Sequence, residues 1–205
     1  MKPNKKLDFT FAKGDKTNKT IIGLHGWQGN KQSFVPMAKN ELFKKYNWYF
    51  VEAPYSVNNN SNTKSWSYEK EKDVWEIEEP KKLLKDFFEN EVFKKHNSKD
   101  IFVIGFSQGA LICYEFICKL DKPLGGIFPI AGFLRSNSLT INPKQNKTPI
   151  VIGHGTYDQI ISIEQSQKAY KLLKKQNSNT ELITYKSSHR IPTEMLKIIA
   201  EKIDK

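Results

Sequence analysis

Residues 101–110 read Ile101-Phe102-Val103-Ile104-Gly105-Phe106-Ser107-Gln108-Gly109-Ala110. The opening run is apolar and rich in β-branched residues, as a strand buried on both faces requires. After Ser107 the apolar residues fall at helical spacing. The pattern therefore predicts a strand over Asp100–Gly105, a sharp turn at Ser107 and a helix over Gln108–Leu120. So tight a turn holds the serine in a strained backbone conformation, and Gly105 and Gly109 let strand and helix approach each other. The helix N-terminus behind Ser107 supplies backbone donors and the positive end of a dipole, which suit a developing oxyanion. A Gly-x-Ser-x-Gly pentad arises by chance in roughly one chain in twenty of this length. The strand before it and the helix after it are what mark Ser107 as a candidate nucleophile. No phosphate loop fits here, because the pentad lacks the lysine such a loop needs.

Working outward, strands and helices alternate along the chain. Strands are expected over Lys6–Ala12, Thr20–Leu24, Trp48–Glu52, Gly126–Ile130, Pro149–Gly153 and Glu181–Tyr185. Helices are expected over Gln32–Lys45, Val74–Lys95, Ser162–Gln176 and Pro192–Ile203, with Pro80 tolerable only near a first turn. A polar loop, Ala53–Lys64, lies between, its turns marked by Pro54 and Asn58-Asn59-Asn60. Apolar strands separated by amphipathic helices predict an α/β fold with a mostly parallel sheet and helices on both faces. No repeat and no long linker divides the chain, so residues 1–205 are expected to form one domain.

In such sheets ligands bind beyond the carboxyl ends of the strands. His25-Gly26-Trp27, Ser107, Asp158 and His189 all follow strand ends. A serine nucleophile needs a base and an orienting acid, and Asp158 and His189 follow it in the order this architecture uses. Of the four histidines, His25 precedes the nucleophile, His154 is expected to shape the acid loop, and His96 sits at a polar helix end where solvation is expected. His189 remains as base. Asp121 is a rival acid, but it precedes a strand and so falls at the opposite edge. The N–H groups of Gln108 and Trp27 are the candidate oxyanion donors. Tyr55, Trp66, Phe133 and Ile160 are candidates for an apolar substrate site.

Composition sets bounds on partners. The 205 residues carry 33 lysines and arginines and a formal charge of +11, yet only Arg135 and Arg190 are arginine. Lysine is the poorer bidentate phosphate reader, and the lysines are spread from Lys2 to Lys205, so no nucleic-acid partner is expected. No apolar run approaches the ~20 residues of a membrane span, and no apolar signal core follows Met1–Lys6, so a cytoplasmic protein without a membrane span is expected. Cys113 and Cys118 point in different directions on one helix and are expected to be buried and reduced. Neither has metal-site spacing.

Four motifs occur in order: Leu24-His25-Gly26, Gly105-Phe106-Ser107-Gln108-Gly109-Ala110, His154-Gly155-x-x-Asp158-x-x-Ile161 and His189-x-Ile191-Pro192. Together they resemble the phospholipase/carboxylesterase family of α/β-hydrolases, which includes the acyl-protein thioesterases. The resemblance implies hydrolysis of small-molecule carboxylic esters or thioesters with no cofactor and no metal. Two departures stand out: Trp27, where the family often has a smaller apolar residue, and the lysine- and asparagine-rich segment Ala53–Asp73. A monomer or homodimer is expected. A serine peptidase or acyltransferase would use the same triad, and a non-catalytic α/β-hydrolase scaffold binding a small molecule is the reading from another class. The absence of a lipase-like lid insertion favours short, soluble acyl groups.

Overall fold

The sheet that carries Ser107 has seven strands. The computed structural model describes residues 6–15, 17–58, 60–72 and 74–205; Asn59 of the asparagine run and Asp73 lie outside the described residues. The strands are β1 (Phe9–Ala12), β2 (Thr20–Leu24), β3 (Asn47–Val51), β8 (Ile101–Phe106), β9 (Gly126–Ile130), β10 (Ile150–Gly155) and β11 (Thr180–Tyr185). The other four form two hairpins, β4 (Tyr55–Val57) with β5 (Asn60–Ser65) and β6 (Tyr68–Glu71) with β7 (Val74–Glu76). The seven-stranded order is β1-β3-β2-β8-β9-β10-β11, and only the edge strand β1 runs antiparallel to its neighbour.

Every residue of β2, β3, β9 and β10 is buried, because helices cover both faces of the sheet. The helices are α1 (Val35–Ala38), α2 (Glu78–Phe87), α3 (Phe93–Lys95), α4 (Gln108–Glu115), α5 (Ile163–Lys174) and α6 (Thr193–Asp204). Side-chain alternation along each strand feeds two cores. Ile22, Val103 and Ile152 meet Leu84 of α2, Leu111 of α4 and Leu173 of α5 on one face. Ile21, Ile104 and Val151 meet Met37 of α1 and Met195 and Ile199 of α6 on the other. The two cysteines are buried and free, as expected.

Four expectations about local structure fail. The Gln32–Lys45 helix reduces to Val35–Ala38, with turns on both sides. Asn40 ends it: its Oδ1 accepts the N–H of Leu42, and its carbonyl the N–H groups of Phe43 and Lys44, a local pairing that competes with helix. The Ala53–Lys64 segment is no open loop, since it folds into the first hairpin, and Val74–Glu76, expected to start a helix, is a strand of the second. Helix α2 opens later, with Pro80 at its third residue, and passes into a π-helical turn at Phe88–Val92. His96 is only partly exposed, near Thr20 Oγ1 at 3.1 Å and Tyr49 Oη at 3.3 Å, rather than solvated. Among the described residues no helix is long and apolar enough to cross a membrane.

Strand β2 lies between β3 and β8, so the winding of the sheet reverses beside it. A crevice therefore opens beyond the carboxyl ends of β2 and β8, between the residues that follow Leu24 and those that follow Phe106.

Candidate active site

The elbow at the end of β8 has the strained geometry its glycines allow. Ser107 takes φ 53° and ψ −112°, a region costing a non-glycine residue about 1–3 kcal/mol. A Cβ on Gly109 would stand 1.9 Å from the Leu24 carbonyl oxygen, and one on Gly105 would stand 2.4 Å from that of Gly109. Only hydrogen fits at either place, so α4 packs directly against β8 and β2. The Ser107 N–H donates to the Ile130 carbonyl at 2.8 Å, which fixes the turn against β9. Gln28 and Ala131, on the same edge, also have positive φ.

Asp158 follows β10 and His189 follows β11, and the two meet. His189 Nδ1 lies 2.7 Å from Asp158 Oδ2. Asp158 Oδ1 accepts the N–H groups of Ile160 and Ile161, both at 2.9 Å. Burial pushes this carboxyl up, but the N–H of Ile161, the His189 ring and the N–H of Ile160 together outweigh it and hold the pKa below the ordinary carboxylate value. The His189 ring packs on Phe106, with centroids 4.8 Å apart, which sets it beside the residue preceding Ser107. Since Nδ1 faces a carboxylate it carries the proton, leaving the lone pair on Nε2.

His154 is fully buried and ties down the loop that carries Asp158. Its Nε2 donates to the Ile161 carbonyl at 2.8 Å and lies 3.5 Å from Asp158 Oδ2, while Nδ1 meets Ser166 Oγ at 2.7 Å. His25 does comparable work after β2. Its Nε2 accepts the Ala53 N–H at 3.1 Å and its Nδ1 pairs with the Gly26 carbonyl at 2.7 Å. Burial, against the raising effect of the Gly26 carbonyl, lowers its pKa from 6.5 to about 4, so the ring is neutral.

The loop that carries Trp27 is clamped by the first hairpin: the Gln28 N–H donates to the Lys64 carbonyl and the Lys64 N–H to that of Gly29, both at 2.9 Å. A Cβ on Gly26 would lie 3.2 Å from Ser107 Cβ, so this loop runs directly past the serine. The N–H groups of Trp27 and Gln108 serve no other acceptor among the described residues.

Two cavities flank the site, and the half-exposed Trp27 side chain walls both. One, of about 550 Å³, is lined by Ser107, Gln108, Leu111, Phe133, Ile160 and Trp75, among others. The other, of about 510 Å³, holds His189 and Phe106. Phe133 and Ile160 thus line the same cavity as Ser107. Trp66 lines neither cavity: it is fully buried, and its Nε1 donates to the His25 carbonyl at 2.9 Å. Tyr55 lines neither cavity and donates its hydroxyl to Glu79 at 2.7 Å.

Sequence reasoning missed the Gln108 side chain. Its Oε1 accepts the Trp66 N–H at 2.9 Å, and its Nε2 donates to Ser65 Oγ and Ser67 Oγ, both at 2.9 Å. It also missed Trp75, which fell within an expected helix. Neither placement has a periodic signal, since each joins segments more than thirty residues apart.

Comparison with known proteins gives the family and the fold. A family model described as Phospholipase/Carboxylesterase matches residues 6–205. Acyl-protein thioesterase 1 of Candida albicans is 29% identical, over 95% of this chain and 96% of its own. Carboxylesterase SOBER1 of Arabidopsis thaliana is 27% identical, over 87% of this chain and 86% of its own. Among solved structures, the Bacillus cereus carboxylesterase superposes with a TM-score of 0.80 at 20% identity, covering 98% of this chain and 95% of that one. At that identity the likeness speaks for the fold, an α/β-hydrolase without a large lid domain.

Proposed function

The chain belongs to the phospholipase/carboxylesterase family, and from that premise we propose that it is a serine hydrolase working through Ser107, His189 and Asp158. Its class is that of the carboxylesterases and thioesterases, the activities its relatives are named for. The observation that carries the finer reading is the 2.7 Å contact between His189 and Asp158, made by a ring that rests on the residue before the serine.

In this reading His189 Nε2 takes the Ser107 hydroxyl proton as Oγ attacks an ester or thioester carbonyl. Asp158, kept ionised, holds the ring and stabilises the imidazolium. The N–H groups of Trp27 and Gln108 receive the oxyanion, a single such donor being worth about 3 kcal/mol in related chemistry. His189 then gives the proton to the leaving oxygen or sulfur, and water attacks the acyl-enzyme with His189 again as base. The cavity beside Ser107, with Leu111, Phe133, Leu134, Ile160 and Ile161 on its walls, suits small to medium acyl groups. Residues 1–205 act as one domain.

Ser107→Ala is the direct test. It should abolish p-nitrophenyl ester turnover and labelling by a fluorophosphonate while leaving the melting temperature nearly unchanged. Labelling of the wild-type protein at any other residue, or activity retained by the variant, would overturn the assignment.

A further inference from the structure

The two cavities divide the machinery unequally. Ser107 and Gln108 line the one with Phe133 and Ile160; His189 lines only the other. Acyl transfer gives that division a meaning. The acyl carbon forms its new bond to Ser107 Oγ, so the acyl group belongs on the serine side. The bond that breaks releases an oxygen or sulfur that must collect its proton from His189, so the departing group belongs on the histidine side.

The histidine-side cavity is built from both ends of the fold. Phe34, Pro36 and Met37 come from around α1, and Ile191 and Leu196 from the start of α6 and the turn before it, with Phe106 and Trp27 beside the site. Among the described residues no acidic side chain lines it, and the exposed Arg190 on its wall has its Nε held by Ser187 Oγ at 2.8 Å. A cavity of about 510 Å³ with such walls favours an apolar group.

We infer that this second cavity is a leaving-group site for apolar alcohols and thiols, so that substrates carry an apolar limb on each side of the scissile bond. The inference rests on the reading of Ser107 and His189 as nucleophile and base. It makes Trp27 the partition between the limbs, and Pro36 and Leu196 residues that select the departing group. Proton and electron balance is that of ordinary acyl transfer: the Oγ proton reaches the departing oxygen or sulfur through His189, and water restores the serine.

The test is a series of ethyl, butyl, hexyl and octyl acetates, whose alcohols are closely similar as leaving groups, followed by proton release at constant pH. kcat/KM should rise about three- to fourfold for each methylene buried until the cavity is full. Pro36→Glu changes an exposed wall residue and Leu196→Glu a partly exposed one. Each should lower the octyl-to-ethyl ratio at least tenfold without altering the preference along an ethyl acetate to ethyl hexanoate series. A flat alcohol series in protein whose Ser107 still takes a fluorophosphonate overturns the leaving-group site and leaves the hydrolase reading intact. Equal effects of the variants on both series overturn it as well. Absence of label on Ser107, with no ester turned over, overturns both.

Discussion

Asp158 Oδ2 stands 2.7 Å from His189 Nδ1 while Oδ1 of the same carboxylate accepts two backbone N–H groups of its own loop. One side chain thereby fixes both the ring and the turn that presents the carboxylate. Because the Oδ1 contacts need only an acceptor, Asp158→Asn can keep the loop. At the other atom an amide NH₂ would face Nδ1, favouring the opposite tautomer and removing the lone pair from Nε2. The variant should lose roughly 10³–10⁴-fold in kcat on p-nitrophenyl acetate with KM changed by only a few-fold. A loss below tenfold would remove Asp158 from the mechanism.

His25 predicts a dependence of stability on pH. Its folded pKa is about 4 against 6.5 for the free side chain. Between these values the unfolded chain binds a proton that the folded chain refuses, so folding stability falls as the pH drops from about 6.5 to about 4. The shift corresponds to roughly 3 kcal/mol. His96, whose pKa partial burial also lowers, acts in the same direction. Urea unfolding at intervals across this window should show the decline. His25→Gln should be less stable at pH 7 but show a flatter profile, and an unchanged slope in that variant would discard the account.

The elbow glycines predict a steric effect on folding. With a Cβ on Gly109 only 1.9 Å from a backbone oxygen of β2, Gly109→Ala can be accommodated only by moving α4 away from the sheet. The expected cost is above about 3 kcal/mol, visible as a large fall in melting temperature or as insoluble protein. A Gly109→Ala variant that melts within two or three degrees of wild type would show that helix and strand are not in the contact described.

The elbow and the placing of Asp158 and His189 were legible in the sequence because local pattern determines them: a buried strand, two glycines and residues just past strand ends. The same reasoning failed where contacts join distant segments. Trp66 is an aromatic in a loop near the site, so it reads as a wall of the substrate cavity; its indole N–H is instead used on the His25 carbonyl. Pro54 and the asparagines over Ala53–Lys64 suggest a polar loop, yet pairing such as Tyr55 with Ser65 folds it into a hairpin. Cross-strand pairing and backbone contacts to the Trp27 loop override the low strand propensity of those residues.

Gln108 shows how the elbow and the hairpins depend on one another. Its backbone begins α4 beside Ser107, and its buried carboxamide reaches the junction between the two hairpins, meeting the N–H of Trp66 and the hydroxyls of Ser65 and Ser67. Gln108→Ala leaves the backbone N–H in place but strands the Trp66 N–H and the Ser67 hydroxyl, each costing about 1–3 kcal/mol if nothing replaces the contact, while Ser65 Oγ keeps the Ser67 carbonyl and N–H as partners. Water entering the vacated space would recover part of that, so a net loss of about 2–4 kcal/mol is expected. The second hairpin supplies Trp75 to the wall of the serine-side cavity, and its carbonyl accepts Arg135 Nη2 at 2.7 Å, so the hairpin stays tethered at its far end. Loosening only the near end should raise KM for longer acyl esters several-fold and speed proteolysis between β4 and β7, with little effect on the rate of fluorophosphonate labelling at saturation. Slow labelling with unchanged KM would mean that the carboxamide serves the serine itself rather than the wall of its cavity.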